Sequence, residues 1–408
     1  MSPLFVRFPG LRGQIPFVPL GDFPTAIERV YGLTHKRVEL WVKREDRSGT
    51  LYGGNKVRKL EFLLGNSGAI ASDVHLGGPF NQKLYAGRGD PNQGTEGSMH
   101  AVGIKALDRG LDLDQGIGLD RVDSTAKKAS LLTLGAWGSN HALAVALYGQ
   151  LLGYSVDNVL FPQPLHTETI ANIREHLLAQ VAAHARLWPA SHFATVPAKY
   201  IAAYISQRKP RLIIPSGGSC PLGTLGWVSG GIEIERQVEG LGLPPFDVVY
   251  VTVGTGGTAA GLLLGLGRAA GCIRGVRVVP WPVASTSMVV KLANQTEKLL
   301  RRKGISQLSI RPRFCMDGRF VGPGIGYGVV TQAAKQAKTA AQALGLPVET
   351  TYTGKTLAAL LADAEAGVLD GKRVLFVMTA SGVDLSEKTQ QADSSVLPKW
   401  LRHALNVN

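Results

Sequence analysis

The stretch VVYVTVGTGGTAAGLLLGLG, residues 248–267, contains a strand, a glycine-rich turn and a helix in direct succession. Val248–Val253 is an unbroken run of mostly β-branched residues, typical of a strand covered on both faces. Five small residues follow, Gly254–Thr258, and the apolar run that opens at Ala259 predicts a helix. Backbone N–H groups converge in such a turn, and the helix N-terminus adds partial positive charge. The stretch therefore predicts a phosphate site.

Two nucleotide-binding fingerprints do not fit this part of the chain. The spacing from Gly254 to Ala259 matches the dinucleotide pattern, but no acidic residue follows about 20 positions later. Gly354-Lys355-Thr356 looks like the end of a Walker motif, yet Glu349 stands where that motif needs its first glycine. A monophosphate held by backbone and threonine hydroxyls, without a metal ion, fits better.

Two further glycine clusters carry candidate chemistry. In GGNKVRK, residues 53–59, Lys56 follows the glycines at a predicted helix start, where the helix dipole and nearby cations favour its neutral amine. Schiff-base chemistry requires a neutral lysine. Taken alone, this motif would instead predict a basic turn on the surface.

In GAWGSNH, residues 135–141, Ser139 and Asn140 suit a helix N-cap. This cluster has no G-x-S-x-G elbow, which argues against a hydrolase serine.

Apolar runs rich in β-branched residues alternate with helical patterns along the chain, which predicts the α/β class with mainly parallel sheets. Helices are predicted after Thr167 as N-cap and over Ala333–Leu344. Besides the run in the opening stretch, the predicted strands are Val38–Val42, Leu131–Leu134, Leu212–Ile214, Val276–Val279 and Val374–Met378.

Composition narrows the function classes. The 408 residues, 45% hydrophobic and 18% charged, predict a folded protein of two or three domains. The net charge is +14, but lysine and arginine form only short runs, so we predict a surface that attracts small anions and no nucleic-acid partner.

Three widely spaced cysteines argue against disulfides and a zinc site, and no metal is predicted. Without an apolar run of about 18 residues or a leader, we expect a cytoplasmic protein with no membrane partner.

Nine motifs in order resemble the pyridoxal-phosphate enzymes of fold type II, the tryptophan-synthase-β-like class. Within that class the chain is similar to the family of aminocyclopropane-carboxylate deaminase and D-cysteine desulfhydrase. The motifs are Phe23-Pro24-Thr25, KRED (43–46), GGNKVRKLE (53–61), GSNH (138–141), IPSGGSCPLGTLGW (214–227), VTVGTGGTAAG (251–261), GYG (326–328), TYTGK (351–355) and FVMTASG (376–382).

The resemblance implies pyridoxal 5'-phosphate as cofactor and a role for each matching residue. Lys56 would form the Schiff base and move the Cα proton, and Tyr327 and Tyr352 would be active-site tyrosines. Asn140 would hydrogen-bond the phenolic oxygen, and Thr379 would face the pyridine nitrogen. The substrate would contact Ser139, Asn140 and His141. The phosphate would be held by Gly254, Thr255, Gly256, Gly257 and Thr258.

Two positions favour the desulfhydrase side of the family. The ring-opening deaminases have Glu and Gln where this chain has Thr353 and His141. A neutral hydroxyl near the pyridine nitrogen gives a weaker electron sink than a carboxylate, which suffices when a good β-leaving group departs. The resemblance thus implies α,β-elimination from a small amino acid such as D-cysteine, giving pyruvate and ammonia. Leu143, where the family usually has arginine, and Cys220 depart from the pattern.

Three alternatives stay open at this point. The first is aminocyclopropane-carboxylate deaminase activity. The second is a non-catalytic descendant that binds an amino acid or nucleic acid. The third, a nicotinamide-dependent oxidoreductase, is disfavoured by the missing acidic residue.

The resemblance also implies two α/β domains with the cofactor between them, in a homodimer. We predict a larger domain from residues 1–71 and 209–408 and a smaller one from residues 127–208. Residues 72–126 are rich in turn formers and lack sustained periodicity, which predicts an insertion or lid.

Overall fold

Ten strands form two sheets in the computed structural model, which describes residues 1–65 and 129–407 apart from 36, 208–210, 282, 307, 309, 325 and 391. The predicted insertion, residues 72–126, lies outside the described residues. The strands are β1 Ile27–Arg29, β2 Glu39–Lys43, β3 Ser130–Ala136, β4 Ser155–Phe161, β5 Arg186–Pro189, β6 Arg211–Ile214, β7 Phe246–Val253, β8 Ala270–Arg277, β9 Arg313–Asp317 and β10 Arg373–Val377.

Both sheets are mainly parallel. The six-stranded sheet has the order β1-β2-β10-β7-β8-β9, in which β1 and β2 are antiparallel and the other neighbours parallel. The four-stranded sheet has the order β5-β4-β3-β6 and is parallel throughout. The α/β class predicted from the apolar runs is confirmed, and the carboxyl ends of parallel strands bring their following loops to one edge.

Twelve α-helices accompany the strands in the described ranges. One contact between them requires glycine: a Cβ on Gly226 would lie 2.0 Å from the carbonyl oxygen of Arg58, so the absence of a side chain lets the two helix backbones touch. The helices are α1 Pro3–Arg7, α2 Val57–Leu63, α3 Asn140–Leu151, α4 Thr167–Ala182, α5 Val196–Ser206, α6 Pro221–Gly240, α7 Gly257–Gly265, α8 Thr286–Arg302, α9 Gln332–Gln342, α10 Thr353–Glu365, α11 Ser386–Gln390 and α12 Lys399–Ala404.

A buried ion-pair network fixes the start of α2. Arg58 donates to Glu45 at 2.7 Å and to Glu233 at 2.7 Å, and Lys43 donates to Glu233 at 2.6 Å. All four side chains are buried, and two cations balance two carboxylates. Removing any one of them would leave an uncompensated charge in the interior, so the network holds β2, α2 and α6 in one arrangement.

The four-stranded sheet extends beyond the predicted smaller domain. That domain was expected to end at residue 208, but β6 pairs with β3 from Ser130–Arg211 to Thr133–Ile214. The short apolar run completes the edge of this sheet, so the boundary predicted at residue 208 falls before its last strand. The division into two domains remains a proposal.

Candidate active site

A cavity of about 540 Å³ lies where strands of both sheets end. Its walls include the residues that follow β3, β6, β7 and β10, as expected where the carboxyl ends of parallel strands converge. The cavity is lined by all the residues to which the sequence analysis assigned a catalytic, cofactor-binding or substrate-binding role: Lys56, Ser139, Asn140, His141, Gly254, Thr255, Gly256, Gly257, Thr258, Tyr327, Tyr352 and Thr379.

The glycine-rich turn after β7 forms a cradle at the N-terminus of α7. Gly256 has φ +83°, a left-handed conformation that a side chain disfavours, and α7 begins at Gly257, two residues earlier than the sequence predicts. Asn55 Nδ2 donates to Thr258 Oγ1 at 2.9 Å, which ties the turn to the segment before α2. The hydroxyls of Thr255 and Ser219 lie 2.6 Å apart beside it. Backbone N–H groups, hydroxyls and the helix dipole together suit a phosphate.

Lys56 lies directly before α2 with its Nζ 2.7 Å from Asn55 Oδ1. Burial lowers the pKa of this amine to about 8, and the Glu349 carboxylate opposes the shift only in part. At pH 7 about a tenth of an amine with that pKa is uncharged, far more than for an ordinary lysine, and the uncharged form is the one that attacks an aldehyde.

Lys59 is a second lysine in the cavity, and no ligand contact was predicted for it from the sequence. Its Nζ donates to the carbonyl oxygen of Gly217 at 2.9 Å, and it lies 2.8 Å from where a Cβ on Gly257 would stand. Burial, with a smaller effect from the Lys56 charge, holds its pKa well below the usual range. An anion in the glycine-rich turn would restore the ammonium form, so Lys59 could pair with a phosphate there.

The loop after β3 presents the predicted GSNH residues. Ser139 is the N-cap of α3, its Oγ accepting from the Ala142 N–H at 3.2 Å, so the predicted cap is confirmed. The Tyr52 hydroxyl donates to Asn140 Oδ1 at 3.1 Å, and the amide nitrogen of Asn140 is therefore the group that can donate to a ligand oxygen. His141 is buried with Nε2 2.9 Å from Thr133 Oγ1.

His141 is neutral in this setting. Burial, reinforced by the charges of Lys56 and Lys59, lowers the pKa of the imidazole well below its usual range. Nδ1 is buried and has no hydrogen-bond partner among the described residues. A neutral ring that lines the cavity can accept or donate a hydrogen bond without adding charge.

The two predicted tyrosines form a pair. Their hydroxyls lie 2.5 Å apart, and burial raises the pKa of Tyr327 to about 12 and that of Tyr352 well above its usual value. Both phenols are therefore protonated at neutral pH. Lys355 is fully buried and donates to the carbonyl oxygens of Val321 and Gly326 at 2.6 and 2.8 Å, which fixes the loop that carries Tyr327.

Glu349 brings a carboxylate into the cavity that the sequence interpretation did not assign to the site. Its oxygens accept from the backbone N–H groups of Thr351, Tyr352 and Thr353, so it caps the N-terminus of α10 and orients Tyr352. Thr353, expected near the pyridine nitrogen, is not among the lining residues, because its fully buried hydroxyl donates to Glu349 at 3.0 Å.

Thr379 follows β10 and lines the cavity with a neutral hydroxyl. Its Oγ1 lies 3.5 Å from Thr252 Oγ1, which in turn is 2.7 Å from Thr356 Oγ1. This row of hydroxyls can exchange hydrogen bonds with a ring nitrogen without imposing a charge. The two departures from the family pattern are framework residues, since Leu143 belongs to an apolar core cluster and Cys220 is the N-cap of α6.

Four rings form an aromatic wall along the cavity: Phe193, Phe161, Tyr327 and Tyr352. Neighbouring ring centroids lie 5.7, 5.9 and 5.9 Å apart in that order. These distances are typical of aromatic pairs in contact. Only the two tyrosines of this wall were predicted from the sequence.

Comparison with known proteins agrees with the geometry. The family model for pyridoxal-phosphate dependent enzymes matches residues 112–380. The chain belongs to this family. It is therefore a pyridoxal-phosphate dependent enzyme, and family membership argues against the non-catalytic binder and the nicotinamide-dependent oxidoreductase. The fold-type II resemblance and the cofactor predicted from the sequence are confirmed.

Relatives in several organisms align over nearly the whole chain. A putative 1-aminocyclopropane-1-carboxylate deaminase of Pyrococcus abyssi is 30% identical, with 93% of each chain covered. The mitochondrial bifunctional D-cysteine desulfhydrase/1-aminocyclopropane-1-carboxylate deaminase of Arabidopsis thaliana is 24% identical over 94% of this chain and 82% of its own. Together these names place the enzyme among the lyases and deaminases of the family.

The solved structure of a homologue of aminocyclopropane-carboxylate deaminase has the same fold. It matches with a TM-score of 0.63 at 23% identity, covering 97% of this chain and all of the other.

In the described part of the chain, no helix combines the length and apolar character of a membrane span.

Proposed function

We propose that the protein catalyses α,β-elimination from a small amino acid such as D-cysteine, releasing pyruvate, ammonia and hydrogen sulfide. One observation carries the proposal: Lys56, with its pKa lowered to about 8, shares a cavity with a phosphate cradle, an N-capping serine and a protonated tyrosine pair. These groups supply an attacking amine, an anion site and proton donors, as the reaction requires.

The cavity residues fit pyridoxal phosphate. The turn from Gly254 to Thr258 and the Lys59 amine would hold the phosphate, and the Asn140 amide would donate to the phenolic oxygen. Thr379 would contact the ring nitrogen, and Lys56 would bind the aldehyde carbon. When bound, the cofactor supplies an aldehyde for the substrate amine and an electron sink for charge at the substrate Cα.

The N-terminus of α3 is suited to the substrate carboxylate. Ser139 caps this helix, and backbone N–H groups at its first turn favour an anion. Neutral His141 and the Asn140 amide complete a polar surface on that side of the cavity. The carboxylate would thus be fixed while the Cα–H bond faces Lys56.

Proton transfer would use two separate groups. The neutral amine of Lys56 removes the Cα proton, which its lowered pKa permits near neutral pH. The Tyr327–Tyr352 pair remains protonated and can donate a hydrogen bond or a proton to the departing sulfur. Water then hydrolyses the released enamine, so cysteine and water yield pyruvate, ammonia and hydrogen sulfide.

Aminocyclopropane-carboxylate deamination is a second candidate function. The names of the Pyrococcus and Arabidopsis relatives support it. In addition, Glu349 brings a carboxylate into the cavity, although the chain has Thr353 where the ring-opening deaminases have Glu. Release of pyruvate and 2-oxobutyrate should be measured with D-cysteine, L-cysteine, D-serine and aminocyclopropane-carboxylate. Pyruvate from a cysteine supports elimination, whereas 2-oxobutyrate from the cyclopropane alone would favour the deaminase.

We also propose that the protein is a homodimer, that it is cytoplasmic and that it has two domains. Ile201 and Ile205 of α5 are 57% and 70% exposed, and apolar surface of this kind supports an interface with a second copy. Light scattering after size-exclusion chromatography would measure the mass, and a monomer at micromolar concentration would contradict the homodimer.

A further inference from the structure

The aromatic wall continues well beyond the groups assigned to the cofactor. Its inner end, the Tyr327–Tyr352 pair, is half-buried, whereas Phe193 at the outer end is 55% exposed. Phe161 links the two ends and adjoins the GSNH loop, since its carbonyl oxygen accepts from the Trp137 N–H at 3.1 Å. The wall therefore runs from the proposed proton donors past the carboxylate site to the cavity mouth.

A second part of the cavity lining is apolar as well. Val279, Pro280 and Val283 line the cavity in the loop after β8, and Val283 is 49% exposed. Among the described lining residues the charged side chains are Lys56, Lys59 and Glu349. Their contacts are with Asn55, Gly217 and the start of α10, at the cofactor end of the cavity.

A cysteine side chain ends at its sulfur and would leave these apolar side chains exposed to water. Burying water-exposed apolar surface in a cavity against an apolar ligand group is favourable. We propose that the substrate is a cysteine whose sulfur carries an aryl or arylmethyl group, which contacts the aromatic wall and the apolar side chains of Val279, Pro280 and Val283. This inference rests on the proposed elimination and adds the class of leaving group.

The chemistry balances for such a substrate. Lys56 takes the Cα proton, the Cα–Cβ double bond forms, and the Cβ–S bond breaks with its electron pair leaving on sulfur. The thiolate receives a proton from the tyrosine pair, and water converts the enamine to pyruvate and ammonia. For S-benzylcysteine, one water is consumed and one benzyl thiol is released, and no oxidant or reductant takes part.

The test compares S-benzylcysteine with cysteine, as D and L enantiomers, on the cofactor-loaded enzyme. We expect pyruvate release from one S-benzyl enantiomer with kcat/KM about tenfold or more above that of the matching cysteine, since ring contacts of this type contribute about that factor. In Phe193→Ala and Phe161→Ala, the ratio of the two kcat/KM values should fall toward one. Tyr31→Ala, which removes an exposed ring outside the cavity, is the matched control and should keep the ratio.

Binding without turnover provides an independent readout. Phenylalanine and alanine have no β-leaving group, so calorimetric titration measures their affinities directly. Phenylalanine should bind about tenfold tighter than alanine to the native enzyme, and Phe193→Ala should remove that difference.

The two proposals can fail separately. Pyruvate from cysteine but not from either S-benzylcysteine, with equal binding of phenylalanine and alanine, would overturn the aromatic leaving group and leave the elimination standing. No pyruvate from any of these substrates, with phenylalanine still preferred, would overturn the elimination and retain the aromatic recognition.

Discussion

Lys56 and Lys59 lie one helical turn apart and line the same cavity, but their amines take different partners. Lys56 Nζ donates to the side chain of Asn55, whereas Lys59 Nζ donates to the backbone of Gly217 beside the glycine-rich turn. We therefore propose the first lysine for covalent attachment of the cofactor and the second for binding its phosphate.

Replacing Lys59 should weaken cofactor binding more than chemistry. Lys59→Met would remove the proposed charge-assisted contact with the phosphate, and the Kd for pyridoxal phosphate should rise about tenfold or more. Equilibrium dialysis of the unloaded protein measures this. Lys298→Met, at an exposed lysine, is the control. Equal affinities for native protein and Lys59→Met would refute the phosphate contact.

The rate of cofactor loading should depend on pH through Lys56. Burial lowers the pKa of this amine to about 8, so its reactive neutral fraction rises with pH and levels off above about 8. Stopped-flow absorbance on the unloaded enzyme records the rate. A rate that keeps rising to the ordinary lysine pKa near 10.5 would show that the amine is solvated.

Lys355 should act through Tyr327. Lys355→Met leaves the carbonyl oxygens of Val321 and Gly326 without their buried donor, which frees the tyrosine loop. We expect kcat to fall about tenfold with the cofactor still bound. The exposed Lys399→Met variant should keep native kcat.

A double variant separates this positioning role from general destabilisation. Lys355→Met combined with Tyr327→Phe should be little slower than Tyr327→Phe alone, because both changes remove the same hydroxyl contact. Fully multiplicative losses in kcat would contradict a role through Tyr327.

Stability should fall as pH rises through the titration of Glu61. Burial raises the pKa of this carboxyl to about 8, and Oε1 accepts from the Leu20 N–H at 3.2 Å. The folded state then binds a proton that the unfolded chain has lost, so the stabilisation is complete below about pH 4.5 and disappears as pH approaches 8.

Glu61→Gln keeps the acceptor and removes the titration. Its free energy of unfolding at pH 8 should exceed that of the native protein by more than about 1 kcal/mol, with a smaller difference at pH 5. Urea unfolding at both pH values measures the difference. Parallel pH profiles for the two proteins would exclude Glu61 as the source.

The structure of residues 248–267 was predicted well, because strand, turn and helix follow one another without interruption. Elsewhere, strands were missed where polar residues interrupt an apolar run. β4 was not predicted because Asp157 and Asn158 interrupt its apolar pattern, although both are buried, Asp157 with Arg186 and Asn158 with Gln180. β8 was predicted only from Val276, whereas it begins at Ala270.

The residues of the site also fall into a group that was predicted from the sequence and a group that was missed. Lys56, Asn140 and the glycine-rich turn were predictable because each is part of a local motif. Phe161, Phe193 and Glu349 were missed because their function depends on neighbours far away in the chain: Phe161 contacts Tyr327, and Glu349 caps a helix that holds Tyr352. A local pattern can identify a motif but not the wall that tertiary contacts assemble.

The attachment site of the cofactor tests the central claim most directly. Borohydride reduction of the loaded enzyme, followed by digestion and mass spectrometry, should find the cofactor mass on the peptide that contains Lys56 and should find none in Lys56→Ala. Attachment at Lys59, or no covalent adduct at all, would contradict the account.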